Sequence, residues 1–286
     1  MANVAIVTDS ASDISPELAA EYDIGVVPLT IRFGTEELLD RSQLSIDEFW
    51  QRCTTSETLP ETSAPSPGAF EEAFALACKT SCDGILVITI SAALSGTYQS
   101  ARTAAAQFNL APVKVIDSRS VTMGEGILVL AAAQDARDGL GLDEIAARTE
   151  DRMTRTHVVG VVDTLDHLQR GGRIGGAAAL LGSLLSIKPV VQVKDGIVAE
   201  ESKQRTRSRS LRYIVDKVTS AAPLERLVIC NGIASDIELV STPLSKVEVD
   251  YEMLAVDLGP VVGTHTGPGS IGVCYLSPAP RTPTSL

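Results

Sequence analysis

Three short segments combine hydroxyls, glycines and a histidine in a way that suits holding an anion. The first is Leu94-Ser-Gly-Thr97, which follows the apolar run 85–90. That run reads as a buried strand, and a helix is predicted from about 95 to 108. Ser95, Gly96 and Thr97 occupy the break between them. Hydroxyls there, with the unpaired N–H groups and dipole of a helix start, converge on one point that favours negative charge. The second segment is Thr62-Ser-Ala-Pro-Ser-Pro67. Ser66 before Pro67 is placed to cap a helix, which leaves Thr62 and Ser63 without a structural task. The third is Gly263-Thr-His-Thr-Gly-Pro-Gly269, read as a polar loop between apolar segments that exposes His265 with Thr264 beside it.

A serine at a strand–helix turn and a histidine also fit a second chemistry, a Ser/His hydrolase of lipid esters or acyl phosphates using Ser95 and His265. That reading needs an acid to orient the imidazole, and none is evident. The chain has no G-x-x-x-x-G-K-[ST] phosphate loop and no G-x-S-x-G elbow. Gly267-Pro-Gly-Ser-Ile-Gly272 matches G-x-G-x-x-G by letter only, because it carries Pro and leads into a strand near the C-terminus. Asp9 and Asp13 follow the first strand and could hold a metal, but no third ligand accompanies them. Asp9 is read as fixing its loop and Asp13 as capping the next helix. His157 and His167 are read as structural or surface residues, not ligands. No cofactor and no metal are expected.

The elements that must position these residues alternate. Strands are predicted at 4–8, 85–90 and 113–116 and an extended stretch at 24–33, with helices at 15–20, 46–53, 67–80, 95–108, 121–137 and 142–153. That pattern predicts an α/β domain over 1–156 with a mainly parallel sheet flanked by helices. From 157 to 278 the reading changes to a mixed α+β domain. A hairpin is predicted around Asp195-Gly196, and strands at 158–162, 226–230, 246–254 and 270–276. No linker separates the halves, so close packing is expected. Residues 279–286 read as a disordered tail.

The chain has 286 residues and a formal net charge of −12, which argues against a nucleic-acid or anionic-membrane partner. The apolar stretch 174–187 is too short to span a bilayer, so no stable membrane insertion is expected. Five cysteines without compact metal spacing read as reduced thiols in a cytoplasmic protein. Basic residues gather in two places, Arg170 to Arg173 and Lys203 to Arg212. Few acids lie within reach in the same helix, so the second cluster is expected to be open to a partner.

Seven segments together resemble the DegV family: Val7-Thr-Asp-Ser-Ala, Thr62-Ser-Ala-Pro-Ser, Leu94-Ser-Gly-Thr-Tyr-Gln-Ser-Ala, Val115-Ile-Asp-Ser, Leu168-Gln-Arg-Gly-Gly-Arg-Ile, Ile187-Lys-Pro and Gly263-Thr-His-Thr-Gly-Pro-Gly. The resemblance implies a two-domain α/β protein that binds one long-chain fatty acid such as palmitate and serves lipid transport or fatty-acid metabolism. In some bacteria such proteins carry the acyl group for an ATP-dependent fatty-acid kinase. By that resemblance Thr62 and Ser95 hold the carboxylate, and His265 joins their network. Gly96, Thr97 and Thr264 complete the candidate set, and Arg170, Arg173 and Arg205 fall in kinase-docking segments. A buried carboxylate is costly unless fully hydrogen-bonded. Burying about 15 methylenes at ~0.8 kcal/mol each gives a gross ~12 kcal/mol, reduced by ordering of the chain.

Overall fold

The computed structural model describes residues 2–279 except 57, 80 and 81, with the backbone alone at 181–186. The expected tail lies outside the described residues from 280 onward. In the first half β1 (Val4–Asp9), α1 (Pro16–Tyr22), β2 (Ile24–Val27), β3 (Thr30–Phe33), β4 (Glu36–Leu39), α2 (Ile46–Thr55) and β5 (Glu61–Ser63) come first. Then follow α3 (Pro67–Ala77), β6 (Gly84–Thr89), α4 (Thr97–Gln107), β7 (Val113–Asp117), α5 (Met123–Arg137) and α6 (Leu142–Met153). The second half holds β8 (Thr156–Val161), α7 (Asp166–Arg170), a 3-10 stretch (Gly175–Ser186), β9 (Lys188–Lys194) and β10 (Ile197–Gln204). It ends with α8 (Arg207–Ser220), β11 (Arg226–Gly232), α9 (Glu238–Leu244), β12 (Leu254–Asp257), α10 (Pro260–Thr266) and β13 (Ser270–Leu276).

Helix starts follow capping chemistry. Ser15, Ser45, Ser66 and Thr206 each accept the N–H three residues on, with proline at the first turn after Ser15 and Ser66. The first sheet runs β2-β1-β6-β7, parallel throughout. Every residue of β6 is buried, as a central parallel strand covered on both faces requires. Phe70, Phe74, Ala101 and Ala104 cover one face of this sheet and α5 covers the other. The second sheet runs β10-β9-β8-β13-β11-β12 and is antiparallel except for β11–β12. Its β9–β10 hairpin turns at Asp195 and Gly196, both at positive φ, as a tight two-residue turn demands.

Helix α5 lies between the two sheets, against β1 and β6 on one side and β8, β11 and β13 on the other. It is therefore buried on nearly every side instead of on one stripe, with Glu125 and Asp135 among its buried residues. One core joins the halves: Ile6, Leu86 and Ile127 pack in the same cluster as Val228, Cys230 and Cys274. Helix α10 is a second joint. Trp50 Nε1 donates to the Leu258 carbonyl at 3.0 Å, and a Cβ on Gly263 would sit 2.6 Å from Phe49 and 2.9 Å from Trp50. Only a residue without a side chain lets α10 approach that closely.

Several expectations need correcting. The segment around His265 is not a loop but the end of α10, closed by Gly267 at φ 73. Its β-branched and glycine residues are poor helix formers, and burial of Val261, Val262 and Gly263 overrides that propensity. Strands β4 and β5 were not expected, and they form a third, antiparallel sheet with β3 in the order β4-β3-β5. The strand expected at 246–254 begins only at Leu254, because Val247, Val249 and Met253 pack on the helix-covered core of the second sheet. Cys78 and Cys82 are joined by a disulfide across a Cα separation of 5.1 Å, so not all five thiols are reduced. Among the described residues no helix is long and apolar enough to cross a membrane.

The acids after β1 do more than the sequence suggests. Asp9 fixes its loop by accepting from Ala11 N, and it also accepts from Ile90 N, tying the ends of β1 and β6 together. Asp13 does not cap α1, since Ser15 does. Instead it accepts from Gly259 N at 3.0 Å, Thr122 Oγ1 at 2.5 Å and Arg41 Nη2 at 2.9 Å, joining the two halves. Asp40 and Glu125 are buried nearby, and both Asp40 oxygens and Oε2 of Glu125 have no hydrogen-bond partner among the described residues. Burial pushes Asp9 up to about 7 and Asp40 up to about 7, the latter against the pull of Arg41. Burial also raises Glu125 well above the usual carboxylate range, and the charge of Asp9 adds to it. No group of three or more His, Cys, Asp or Glu among the described residues could hold a metal.

Two outcomes are expected. Gly263→Ala should lower the melting temperature by several degrees, because the added methyl pushes α10 off Phe49 and Trp50; an unchanged melt would show that α10 gives way freely. The folded chain holds protons on Asp9 and Asp40 that the unfolded chain has lost above pH ~4. Stability from these groups therefore falls as pH rises from about 4 to about 7. Asp40→Asn should flatten that fall, gaining on the wild type by at most about 1.4 kcal/mol per pH unit across the window, as read by urea unfolding at pH 5, 6, 7 and 8.

Candidate functional site

Thr62 stands on β5, paired with Ile31 of β3, so a three-residue strand fixes a hydroxyl that looked unassigned. His265 lies in the last turn of α10, and its Nε2 is 2.9 Å from Thr62 Oγ1. Ser95 sits in the turn after β6, held by its own N–H to the Ser91 carbonyl at 3.1 Å. Its Oγ lies 2.8 Å from Thr97 Oγ1 and accepts from Thr97 N at 3.4 Å. Thr62, Ser95 and His265 line one end of a single cavity whose other walls include Leu29, Ile90, Leu94 and Val261. Three segments far apart in sequence therefore meet.

The other candidates fall differently. Gly96 is the residue before α4 and Thr97 is its buried first residue; neither is in that cavity wall. Thr264 gives its hydroxyl to the Pro260 carbonyl at 2.8 Å and faces the vestibule outside. Arg173 is turned inward, its guanidinium donating to the carbonyls of Leu94 at 3.0 Å and Gly171 at 2.6 Å, and it lines both cavity and vestibule. Arg170 is exposed at the vestibule and Arg205 is exposed before α8. The basic cluster around α8 is partly neutralised by acids from other elements: Arg207 pairs with Asp236 and Asp163, and Lys203 with Glu200. Thr266 also lines the cavity, and no sequence signal singled it out.

The electrostatics favour an anion seat over a nucleophile. Burial, then the neighbouring charges of Arg173 and His167, push His265 down to about 4, so the imidazole is neutral. Its Nδ1 is buried with no hydrogen-bond partner among the described residues. An orphaned acceptor is cheaper than an orphaned N–H, so the proton belongs on Nε2, donated to Thr62. Thr62 then keeps its own proton to give. Ser95 Oγ already accepts from the Thr97 N–H, and a proton donated to it by Thr97 Oγ1 leaves the Ser95 proton free as well. Among the described residues Ser95 is bonded to Thr97 and not to His265, and no carboxylate is hydrogen-bonded to the imidazole, so the contacts of a Ser/His/acid triad are not formed among them. A Cβ on Gly171 would stand 2.2 Å from His265 Nδ1, so a glycine there gives the ring its room.

Behind the seat the lining turns apolar. The first cavity, about 60 Å³, adjoins a second of about 80 Å³ that shares Val121, Leu168, Val198, Val262 and Thr266. The second runs between β8, β9 and β13 past Val158, Gly160 and Val193. Both are small beside the roughly 300–1,000 Å³ of ordinary ligand clefts, and they adjoin at those five shared residues. In front of the seat, Thr62, Arg173 and His265 also border a polar vestibule of about 260 Å³ with Glu61, His167 and Arg170. A polar vestibule, the group Thr62, Ser95 and His265, and two mainly apolar cavities are thus linked by shared lining residues.

A family model described as "Uncharacterised protein, DegV family" matches residues 3–278. A DegV domain-containing protein of Deinococcus radiodurans is 37% identical over 95% of this chain and 97% of its own. A Thermus thermophilus structure, whose description reads "Fatty Acid Binding of a DegV family Protein", superposes with TM-score 0.87 at 33% identity, over 96% of this chain and all of that one. A stearic acid-binding protein from Eubacterium ventriosum superposes with TM-score 0.86 at 28% identity, over 97% of this chain and 98% of its own. With the family's sequence model matched along almost its whole length and a close superposition on solved members, this chain belongs to the DegV family.

Proposed function

We propose that this protein binds one long-chain fatty acid, its carboxylate at Thr62 and Ser95 and its acyl chain in a bore made of the two mainly apolar cavities. The observation that carries the reading is the junction itself: the Thr62 and Ser95 hydroxyls, with a neutral imidazole 2.9 Å from Thr62, on a cavity walled by aliphatic side chains. A carboxylate there accepts from both hydroxyls, and Arg173 offsets its charge at the vestibule side. Methylenes behind it leave water for Val121, Leu168, Val198 and Val262. The fatty-acid binding described for the Thermus and Eubacterium proteins supports the same reading. His265 acts as a positioning residue through Thr62. The Ser95 hydroxyl serves as a donor, and the chain acts as a carrier, not a hydrolase.

The open, polar vestibule suits presentation of the carboxylate to an ATP-dependent fatty-acid kinase, after transport or during fatty-acid metabolism. Arg170 and Arg205 are exposed and have no ion pair among the described residues, so their charge is free for such a partner.

Organic extraction of the purified protein followed by mass spectrometry should release a C14–C18 fatty acid near one equivalent. Thr62→Val and Ser95→Ala should each weaken binding by about ten- to a hundredfold, as loss of a hydrogen bond to a charged group does. No extracted lipid together with no uptake of added palmitate sinks the reading. Ester hydrolysis by the wild type that disappears in Ser95→Ala reinstates the hydrolase.

A further inference from the structure

The bore does not end in solid core. Its inner cavity shares Val158, Gln192 and Val193 with a groove of about 630 Å³ that has no residue in common with the vestibule. Val158 and Val193 are register partners on β8 and β9, so a pair of valines is what stands between bore and groove. The groove is polar and of mixed charge: Ser118, Ser120 and Thr156 border it with Arg119 and Lys194, and with the acids Glu150 and Asp195. It is a built feature. Its rim is the tip of the β9–β10 hairpin, held against the first half by Ser91 Oγ donating to the Gly196 carbonyl at 2.7 Å and by Arg119 pairing with Asp195 at 3.1 Å. Lys194 has no ion pair among the described residues.

We propose that this groove is a second polar subsite, and that the protein accepts long-chain fatty acids carrying a polar group at the ω-end, a hydroxyl or a second carboxylate. The inference rests on the fatty-acid reading above. A hydroxyl left in a dry apolar pocket has no partner and weakens binding markedly, and a carboxylate does so far more. A chain long enough to pass Val158 and Val193 delivers that group to hydroxyls, Lys194 and water instead. Short ω-polar acids leave it stranded among valines. The discrimination therefore depends on chain length, which a blind-ended tunnel does not produce.

The delipidated full-length protein is titrated with dodecanoate, palmitate and stearate and with their ω-hydroxy and α,ω-dicarboxylic counterparts, by competition with a fluorescent fatty acid. The ω-hydroxyl should weaken binding tenfold or more at C12 and less than threefold at C18. The C18 diacid should stay within about tenfold of stearate, and Lys194→Glu should weaken the diacid about fivefold while leaving stearate unchanged. If the plain acids bind but every ω-polar acid is weakened a hundredfold or more at all lengths, the subsite is overturned and the fatty-acid reading stands. An unchanged diacid-to-stearate ratio in Lys194→Glu overturns the placement of the ω-end in this groove. If palmitate and stearate themselves fail to bind, the fatty-acid reading falls and this one with it.

Discussion

The seat exists because the first half of the chain grips one short helix of the second. Helix α10 is seven residues long and composed of poor helix formers, so its own hydrogen bonds would not hold it. What holds it is contact at both ends of its entry: Asp13 accepts from Gly259 N, and Trp50 donates to the Leu258 carbonyl. Gly263 then lies flat on Phe49 and Trp50. Three contacts from the N-terminal half thereby set the height of His265 against Thr62, which the small β4-β3-β5 sheet presents from the other side.

Asp13 can carry that duty because its neighbours share the electrostatic burden. Four buried carboxylates, Asp9, Asp13, Asp40 and Glu125, lie close enough to act on one another, and Arg41 offsets Asp13 and Asp40. Full ionisation of all four in such a setting would be prohibitive, so protons are retained on Asp9 and Asp40 at mildly acidic pH. The parallel sheet changes winding direction between β1 and β6, the place where open α/β sheets commonly take a ligand. Here that position is occupied by carboxylate chemistry that fastens strands and domains, and the proposed seat at Ser95 lies beyond the end of β6.

Much of the fold was legible because it rests on local signals. The runs 4–8 and 85–90 announced central strands, serine–proline pairs announced α1 and α3, and Asp195-Gly196 announced its hairpin. Ser95 and His265 stood out by residue type and setting. What stayed hidden depends on contacts between distant segments. Glu61-Thr-Ser63 is too short and polar to read as a strand, yet pairing with β3 makes it one. Pro260–Thr266 reads as a loop until Phe49 and Trp50 are placed beneath it. Arg173 looked like surface charge, and only the carbonyls of Leu94 and Gly171 turn it inward. The Cys78–Cys82 bridge has no signature in its spacing that distinguishes it from two free thiols.

The chain contains one tryptophan, and it is Trp50. Its indole is buried, edge-on to Phe49 at 4.9 Å, with its N–H fastened to a carbonyl of the opposite half. Tryptophan emission, excited to the red of tyrosine absorption, therefore has a single origin, and that origin is the seam. Any event that parts α2 from α10 wets the indole and shifts its spectrum to the red, whereas loosening elsewhere leaves it untouched. The molecule carries its own optical gauge of how tightly its two halves are closed, with no label to be introduced.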